Sequence, residues 1–131
     1  MGKQLTAELI MNKTKCDNLH SIKNLNLWGN DLDDLTLLRQ MPNLEVLSLS
    51  VNKITTLKDF ACCSKLTELY LRKNNISDIR EIRYLINLPQ LKVLWLWDNP
   101  LSETPQYRDI VIKTLPNLVK LDNNNITNEE K

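Results

Sequence analysis

The chain has 131 residues, of which 42% are hydrophobic and 25% are charged, the size and composition of one ordinary globular domain. Its net charge of +1 excludes an overall field that attracts nucleic acid or anionic membrane. No apolar run is long enough to span a bilayer, and the N-terminus lacks the apolar segment of a signal peptide. We therefore expect a protein of a reducing compartment, without membrane insertion.

The first predicted element is an N-terminal cap over residues 1–21. Leu5, Leu9 and Ile10 have the spacing of a short amphipathic helix, which can cover the apolar end of a stacked core.

Four copies of one nine-residue pattern, apolar-x-x-Leu-x-Leu-x-x-Asn, follow between residues 22 and 100. They begin at Ile22, Leu44, Leu66 and Leu91, at intervals of 22, 22 and 25 residues. This period and pattern are typical of a leucine-rich-repeat solenoid, in which the apolar positions of each short strand face a shared core. The asparagines that end the pattern should bond to backbone groups of neighbouring coils, a structural role that we assign to Asn30, Asn52, Asn74 and Asn99.

Each pattern leads into an apolar series of period three. The series run from Leu32 to Met41, from Ile54 to Cys63 and from Ile76 to Leu88, and the third is one step longer. A period near three predicts a short helical or 3₁₀ return on the convex side. The fold class expected is therefore α/β, a right-handed solenoid with parallel strands on its concave face.

A C-terminal cap is predicted over residues 101–131. Apolar residues between Tyr107 and Leu115 have helical spacing, and Leu118 and Leu121 indicate one more strand. Thr127 and Glu130 have the form of a capping box, which begins a helix. We expect a single domain over residues 1–131 that forms the N-terminal part of a longer protein.

The three cysteines and the single histidine suggest neither a disulfide framework nor a metal site. Cys62 and Cys63 are neighbours, while Cys16 lies four residues before His20. A metal usually needs about four ligands at suitable spacing, which this set does not offer. We expect a buried Cys63 and no metal or other cofactor.

The third, fifth and seventh positions of the pattern alternate with the core positions, so their side chains should project from the concave face. All three tryptophans of the chain lie in these columns, and tryptophan, tyrosine and arginine dominate protein-binding hot spots. The predicted partner-binding residues are Trp28, Val46, Glu68, Tyr70, Arg72, Lys73, Trp95 and Trp97. In the alternative interpretation, the aromatic side chains stack on one another and only rigidify the solenoid.

Other functions fit the sequence less well. Tyr70 and Trp95 could stack bases while Arg72 and Lys73 meet phosphate, but acidic residues flank them and the net charge is low. One histidine and two glycines offer no catalytic constellation or phosphate loop, so neither an enzyme nor a small-molecule substrate is expected.

Several segments carry a family resemblance. Asn99-Pro100, Tyr107-Arg108, Leu115–Leu118 and Leu121-Asp122 resemble the intracellular leucine-rich repeats with a C-terminal cap. That group includes spliceosomal A-prime, a nuclear phosphatase regulator and the axonemal dynein light chain. The resemblance implies structural roles for Tyr107 and Asp122.

A narrower resemblance, in Met41–Asn52, Glu68–Asn74 and Leu91–Pro100, is to a family of cilia- and flagella-associated leucine-rich-repeat proteins. It implies a monomeric interaction domain in a cytoplasmic, cytoskeletal adaptor of the ciliary or flagellar basal body, acting in cilium assembly and maintenance. It also implies a NIMA-related kinase as a partner of a C-terminal region. The alternatives are subunits like the dynein light chain, the phosphatase regulator or spliceosomal A-prime.

Overall fold

The computed structural model describes residues 2–131 and contains eight short strands and two α-helices. In chain order they are β1 (Lys3–Gln4), α1 (Ala7–Thr14), β2 (Asn24–Asn26), β3 (Leu32–Asp34), β4 (Val46–Ser48), β5 (Glu68–Tyr70), β6 (Val93–Trp95), α2 (Tyr107–Thr114), β7 (Lys120–Leu121) and β8 (Asn124–Asn125). Within residues 2–131, no helix has the length and apolarity needed to cross a membrane.

A six-stranded sheet forms one side of the molecule in the order β2-β4-β5-β6-β7-β8. The first five strands are parallel and in register, so that Leu25, Leu47 and Leu69 pair in one row, which Leu94 and Leu121 extend. Each of these leucines is at most 3% exposed. The repeated pattern therefore forms a continuous core, as predicted, because each coil buries its apolar face against the next.

The returns between the strands are 3₁₀ helices at Thr36–Gln40, Lys58–Cys62 and Ile79–Leu85. The third is the longest of them, which accounts for the 25-residue interval. Cys63 is fully buried after the second return, and burial raises the pKa of its thiol to about 12. One expectation needs correction, since Leu32 lies in strand β3, which pairs with β1.

The N-terminal cap differs in detail from its prediction. Leu5 is buried but precedes the helix, because Thr6 has extended backbone angles and its hydroxyl accepts a hydrogen bond from the Leu9 amide at 3.1 Å. Helix α1 buries Ile10 and half-buries Leu9. Strand β1 was not predicted, because two residues carry too little periodicity to indicate a strand.

Asparagine side chains connect neighbouring coils. The Asn74 amide nitrogen donates to the carbonyls of Leu49 and Leu71, both at 3.1 Å, and its oxygen accepts from the Ile54 amide at 3.0 Å. Asn52 and Asn99 make equivalent bonds. Asn30 is different: its side chain donates only within its own coil, to the Trp28 carbonyl, because it belongs to the first coil of the sheet.

The C-terminal cap ends this ladder with a carboxylate. Asp122 accepts hydrogen bonds from the amides of Leu96, at 2.6 Å, and Trp97, at 3.1 Å, and from the Tyr107 hydroxyl at 2.7 Å. Burial and the Asp122 carboxylate raise the pKa of Tyr107. These hydrogen bonds connect the fourth repeat to helix α2 through Asp122.

The capping box at the end of the chain is present and makes a further contact. Thr127 and Glu130 bond reciprocally, as the pattern predicts. Glu130 also forms an ion pair with Arg108 of α2, with 2.6 Å between the guanidinium and the carboxylate. This contact fixes the terminal segment against the cap.

Candidate protein-binding surface

The concave face is the side of the six-stranded sheet that points away from the core. The register sets Glu68 beside Val93 and Tyr70 beside Trp95 on this face. Parallel strands lie about 4.8 Å apart, so side chains in one row contact each other directly. The strand register therefore brings Tyr70 and Trp95 into contact, two residues that the sequence predicts to bind a partner.

The rings of Tyr70, Trp95 and Trp97 pack together on this face. The ring centroids of Tyr70 and Trp95 are 4.7 Å apart with the planes at 83°, an edge-to-face contact. Trp97 lies 4.9 Å from Trp95 and is tilted by 37°. All three residues are half-buried, so the cluster packs on itself and still presents apolar surface to solvent.

Charged side chains border these three rings on both sides. The Arg72 guanidinium lies 5.9 Å from the Trp97 ring centroid, which is a cation–π contact, and 4.0 Å from the carboxylate of Asp98. On the other side the Tyr70 hydroxyl donates to Glu68. Burial and this carboxylate raise the pKa of Tyr70 to about 12. We call Glu68, Tyr70, Arg72, Trp95 and Trp97 the aromatic cluster.

One polar atom of the cluster lacks a partner. The indole nitrogen of Trp95 is buried and, among residues 2–131, has no hydrogen-bond acceptor. Leaving a buried donor unpaired costs about 1–3 kcal/mol, a cost that a native structure rarely carries without another use. The unpaired Trp95 nitrogen thus lies within the surface whose tryptophan, tyrosine and arginine content indicates protein binding.

The remaining predicted binding residues lie outside the cluster. Trp28 is 58% exposed on the first coil, and the second coil separates it from Arg72. Val46 is half-buried in β4, while Lys73 is exposed at the rim. Ser50, expected to project outward, is only 5% exposed, because it is a small residue in a row flanked by the larger Trp28 and Arg72.

Two features of this surface were not predicted from the sequence. The eighth position of every repeat has a positive φ, with 70° at Gly29, 60° at Val51, 59° at Lys73 and 62° at Asp98. This left-handed backbone turns the chain out of the strand. It shows in the sequence only as glycine in the first copy and acidic aspartate in the last. The second feature is Lys120, which pairs with Val93 and adds a cation to the end of the face.

The chain belongs to the leucine-rich repeat family, whose model matches residues 4–131. It is similar to Cilia- and flagella-associated protein 410 of Homo sapiens, with 46% identity over 97% of this chain and 50% of the relative. The Mus musculus protein of the same name is 45% identical over 97% of this chain and 52% of its own length. The chain therefore spans about half the length of these two relatives.

Among solved structures, the chain is similar to one in the crystal structure of the Drosophila melanogaster SNF/U2A' complex. The TM-score is 0.83 at 25% identity, over 98% of this chain and 88% of that one. The family and this likeness confirm the predicted leucine-rich-repeat architecture. Such repeats are typically interaction modules and not enzymes, and the matching model indicates no catalytic family.

Proposed function

We propose that this domain binds a protein partner on its concave face, and that it does so in an adaptor of the ciliary or flagellar basal body that acts in cilium assembly and maintenance. The observation that carries the proposal is the half-buried aromatic cluster, in which Trp95 contacts both Tyr70 and Trp97, and Arg72 lies beside Trp97. Its residue types are those of protein-binding hot spots, and its rings are already ordered, so less side-chain entropy is lost on binding.

The ciliary context is supported by the names of the human and mouse relatives. We also propose a NIMA-related kinase as a partner of a C-terminal region of the full-length protein, as the family resemblance implies. In this proposal the concave face binds a different protein from the kinase, and the two interactions are separable by mutation.

A second candidate is a subunit of a ribonucleoprotein. It is favoured by the TM-score of 0.83 with a chain of the SNF/U2A' complex. In this case the concave face binds a protein of a nuclear particle, and the domain is recovered with RNA-binding proteins.

Proximity labelling with the full-length protein in a flagellated cell distinguishes the two candidates. The wild-type protein should label basal-body proteins, and Trp97→Ala with Arg72→Glu should lose one or a few of them. Met11→Ala is the matched control, because Met11 is 45% exposed on helix α1, away from the sheet. It should leave the labelling unchanged.

Three results would contradict the proposal. Recovery of spliceosomal proteins favours the second candidate, and recovery of dynein heavy chains favours a light-chain role. An unchanged pattern for a double variant with wild-type circular dichroism refutes the concave site itself.

A further inference from the structure

A groove on the opposite side of the molecule lies between the longest return, Ile79–Leu85, and helix α2. Its walls are formed by Ile79, Arg80, Ile82, Arg83, Ile110 and Thr114. It offers about 250 Å³, several times the roughly 30 Å³ of one water molecule, which is room for aliphatic side chains.

The floor of this groove is aliphatic. Ile82 is 1% exposed, and Ile79 is half-buried and packs against the core. Ile110 of α2 is also half-buried. The Thr114 hydroxyl donates back to the Ile110 carbonyl at 2.7 Å, so it satisfies itself within α2 and offers little polarity to the groove. The floor is therefore suited to apolar side chains.

The mouth of the groove is cationic. Arg80 makes paired hydrogen bonds with Asp78, at 3.1 Å and 2.9 Å, which partly neutralise it. Arg83 has no carboxylate within 4.0 Å among residues 2–131, and its guanidinium lies 5.4 Å from the Tyr84 ring centroid. Arg83 is thus an exposed cation that forms no ion pair with the residues that the structure describes. Hydrogen bonds from Arg80 lower the pKa of Asp78, and the charge of Arg83 adds a smaller effect.

The nearby acidic groups are otherwise engaged. Glu81 accepts from the Thr56 hydroxyl and, at 2.9 Å, from the Leu57 amide of the preceding coil, and Asp109 pairs with Lys113 at 2.9 Å. With Asp78 on Arg80, the mouth retains one net positive charge.

From this arrangement we propose that the groove is a second docking site, for an acidic amphipathic segment of a partner protein. Aliphatic side chains of the segment enter between the return and α2, and an adjacent carboxylate pairs with Arg83. Charge complementarity selects this occupant, since a basic or uncharged segment leaves Arg83 unpaired.

A nuclear magnetic resonance titration tests the site directly. The probe is a short synthetic peptide that repeats Glu-Leu-Leu-Glu, and its counterpart has lysine in place of each glutamate. We expect the acidic peptide to shift the amide signals of Ile79, Ile110 and Thr114 with one-site saturation, and the lysine peptide to shift none. Arg83→Glu should weaken the binding of the acidic peptide by roughly tenfold, because it replaces electrostatic attraction by repulsion at the exposed mouth of the groove.

Arg72→Glu is the matched control, because it reverses the charge of an arginine on the concave face, away from the groove. It should leave this titration unchanged. The proposal would be overturned if the lysine peptide bound as tightly as the acidic one, or if Arg83→Glu bound the acidic peptide as tightly as the wild type. Amide shifts confined to the concave face would also overturn it. Ile110→Ala tests the apolar contribution, once its spectrum shows a native fold. It should weaken the binding of the acidic peptide, and an unaltered affinity would also overturn the proposal. The concave-site proposal is unaffected by any of these results.

Discussion

Removal of single asparagines from the ladder should destabilise the solenoid by unequal amounts, although the residues occupy the same position of the repeat. Asn74→Ala deprives the Ile54 amide of its hydrogen bond. The two carbonyls that Asn74 contacts keep a partner, because Leu49 also accepts from Asn52 and Leu71 also accepts from Asn99. Only one buried group is left unpaired.

Asn52→Ala leaves more groups unpaired. Its oxygen accepts from the amides of Asn30, at 3.0 Å, and Leu32, at 2.9 Å, and its nitrogen is the partner of the Leu27 carbonyl. Each buried unpaired group costs about 1–3 kcal/mol, so we expect about 1–3 kcal/mol for the one group that Asn74→Ala unpairs and roughly 3–9 kcal/mol for the three that Asn52→Ala unpairs. Asn99→Ala unpairs the Ile76 amide and the Leu96 carbonyl, and should fall between the two.

Equilibrium unfolding in urea, followed by far-ultraviolet circular dichroism, gives these free energies from the transition midpoints. Asn30→Ala is the control, because that side chain donates only to the Trp28 carbonyl at the surface; we expect a change within about 0.5 kcal/mol. If Asn74→Ala destabilised the domain as much as Asn52→Ala, the shared acceptors would not compensate and the reasoning would fail.

Three further predictions concern the cap and the rim. Tyr107→Phe should cost about 1.5–3 kcal/mol, since it removes a hydrogen bond to a charged acceptor, Asp122. Because the folded pKa of Tyr107 is raised above the ordinary value of 10.0, wild-type stability should fall as the pH rises above 10, and less steeply in the variant. The Arg108 guanidinium lowers the pKa of Glu130 to about 2, so its contribution is present above pH 4.5 and is lost as the pH falls towards 2; carboxyl chemical shifts during an acid titration check this. Val51→Asn should raise the thermal midpoint by a few degrees, because valine is strained at a φ of 60° where asparagine is tolerated; an unchanged or lower midpoint contradicts this explanation.

The repeat fixes the fold because its apolar positions recur at intervals that only stacked coils can satisfy. Leu47 and Leu69, for example, occupy the same position of neighbouring repeats, so stacking of the coils pairs them. The elements that could not be predicted are short or depend on contacts distant in sequence. Strand β1 has two residues, and the Arg108–Glu130 ion pair joins residues 22 positions apart.

The same distinction applies to the candidate site. The columns of the pattern predict that Tyr70 lies beside Trp95 and Arg72 beside Trp97, because strand register determines both. Side-chain packing determines the rest. The unpaired Trp95 indole and the bond between Tyr70 and Glu68 depend on rotamers, which a linear pattern does not encode.

Site-specific photo-crosslinking tests the concave site most directly. A benzophenone amino acid is placed at position 97 of the full-length protein, or at position 11 as the control, and the flagellated cells are irradiated. We predict one discrete crosslinked partner from position 97, lost on Arg72→Glu, and none in common with position 11. The same products from both positions, or none from position 97 in a protein that is folded and correctly localised, would contradict binding at the aromatic cluster.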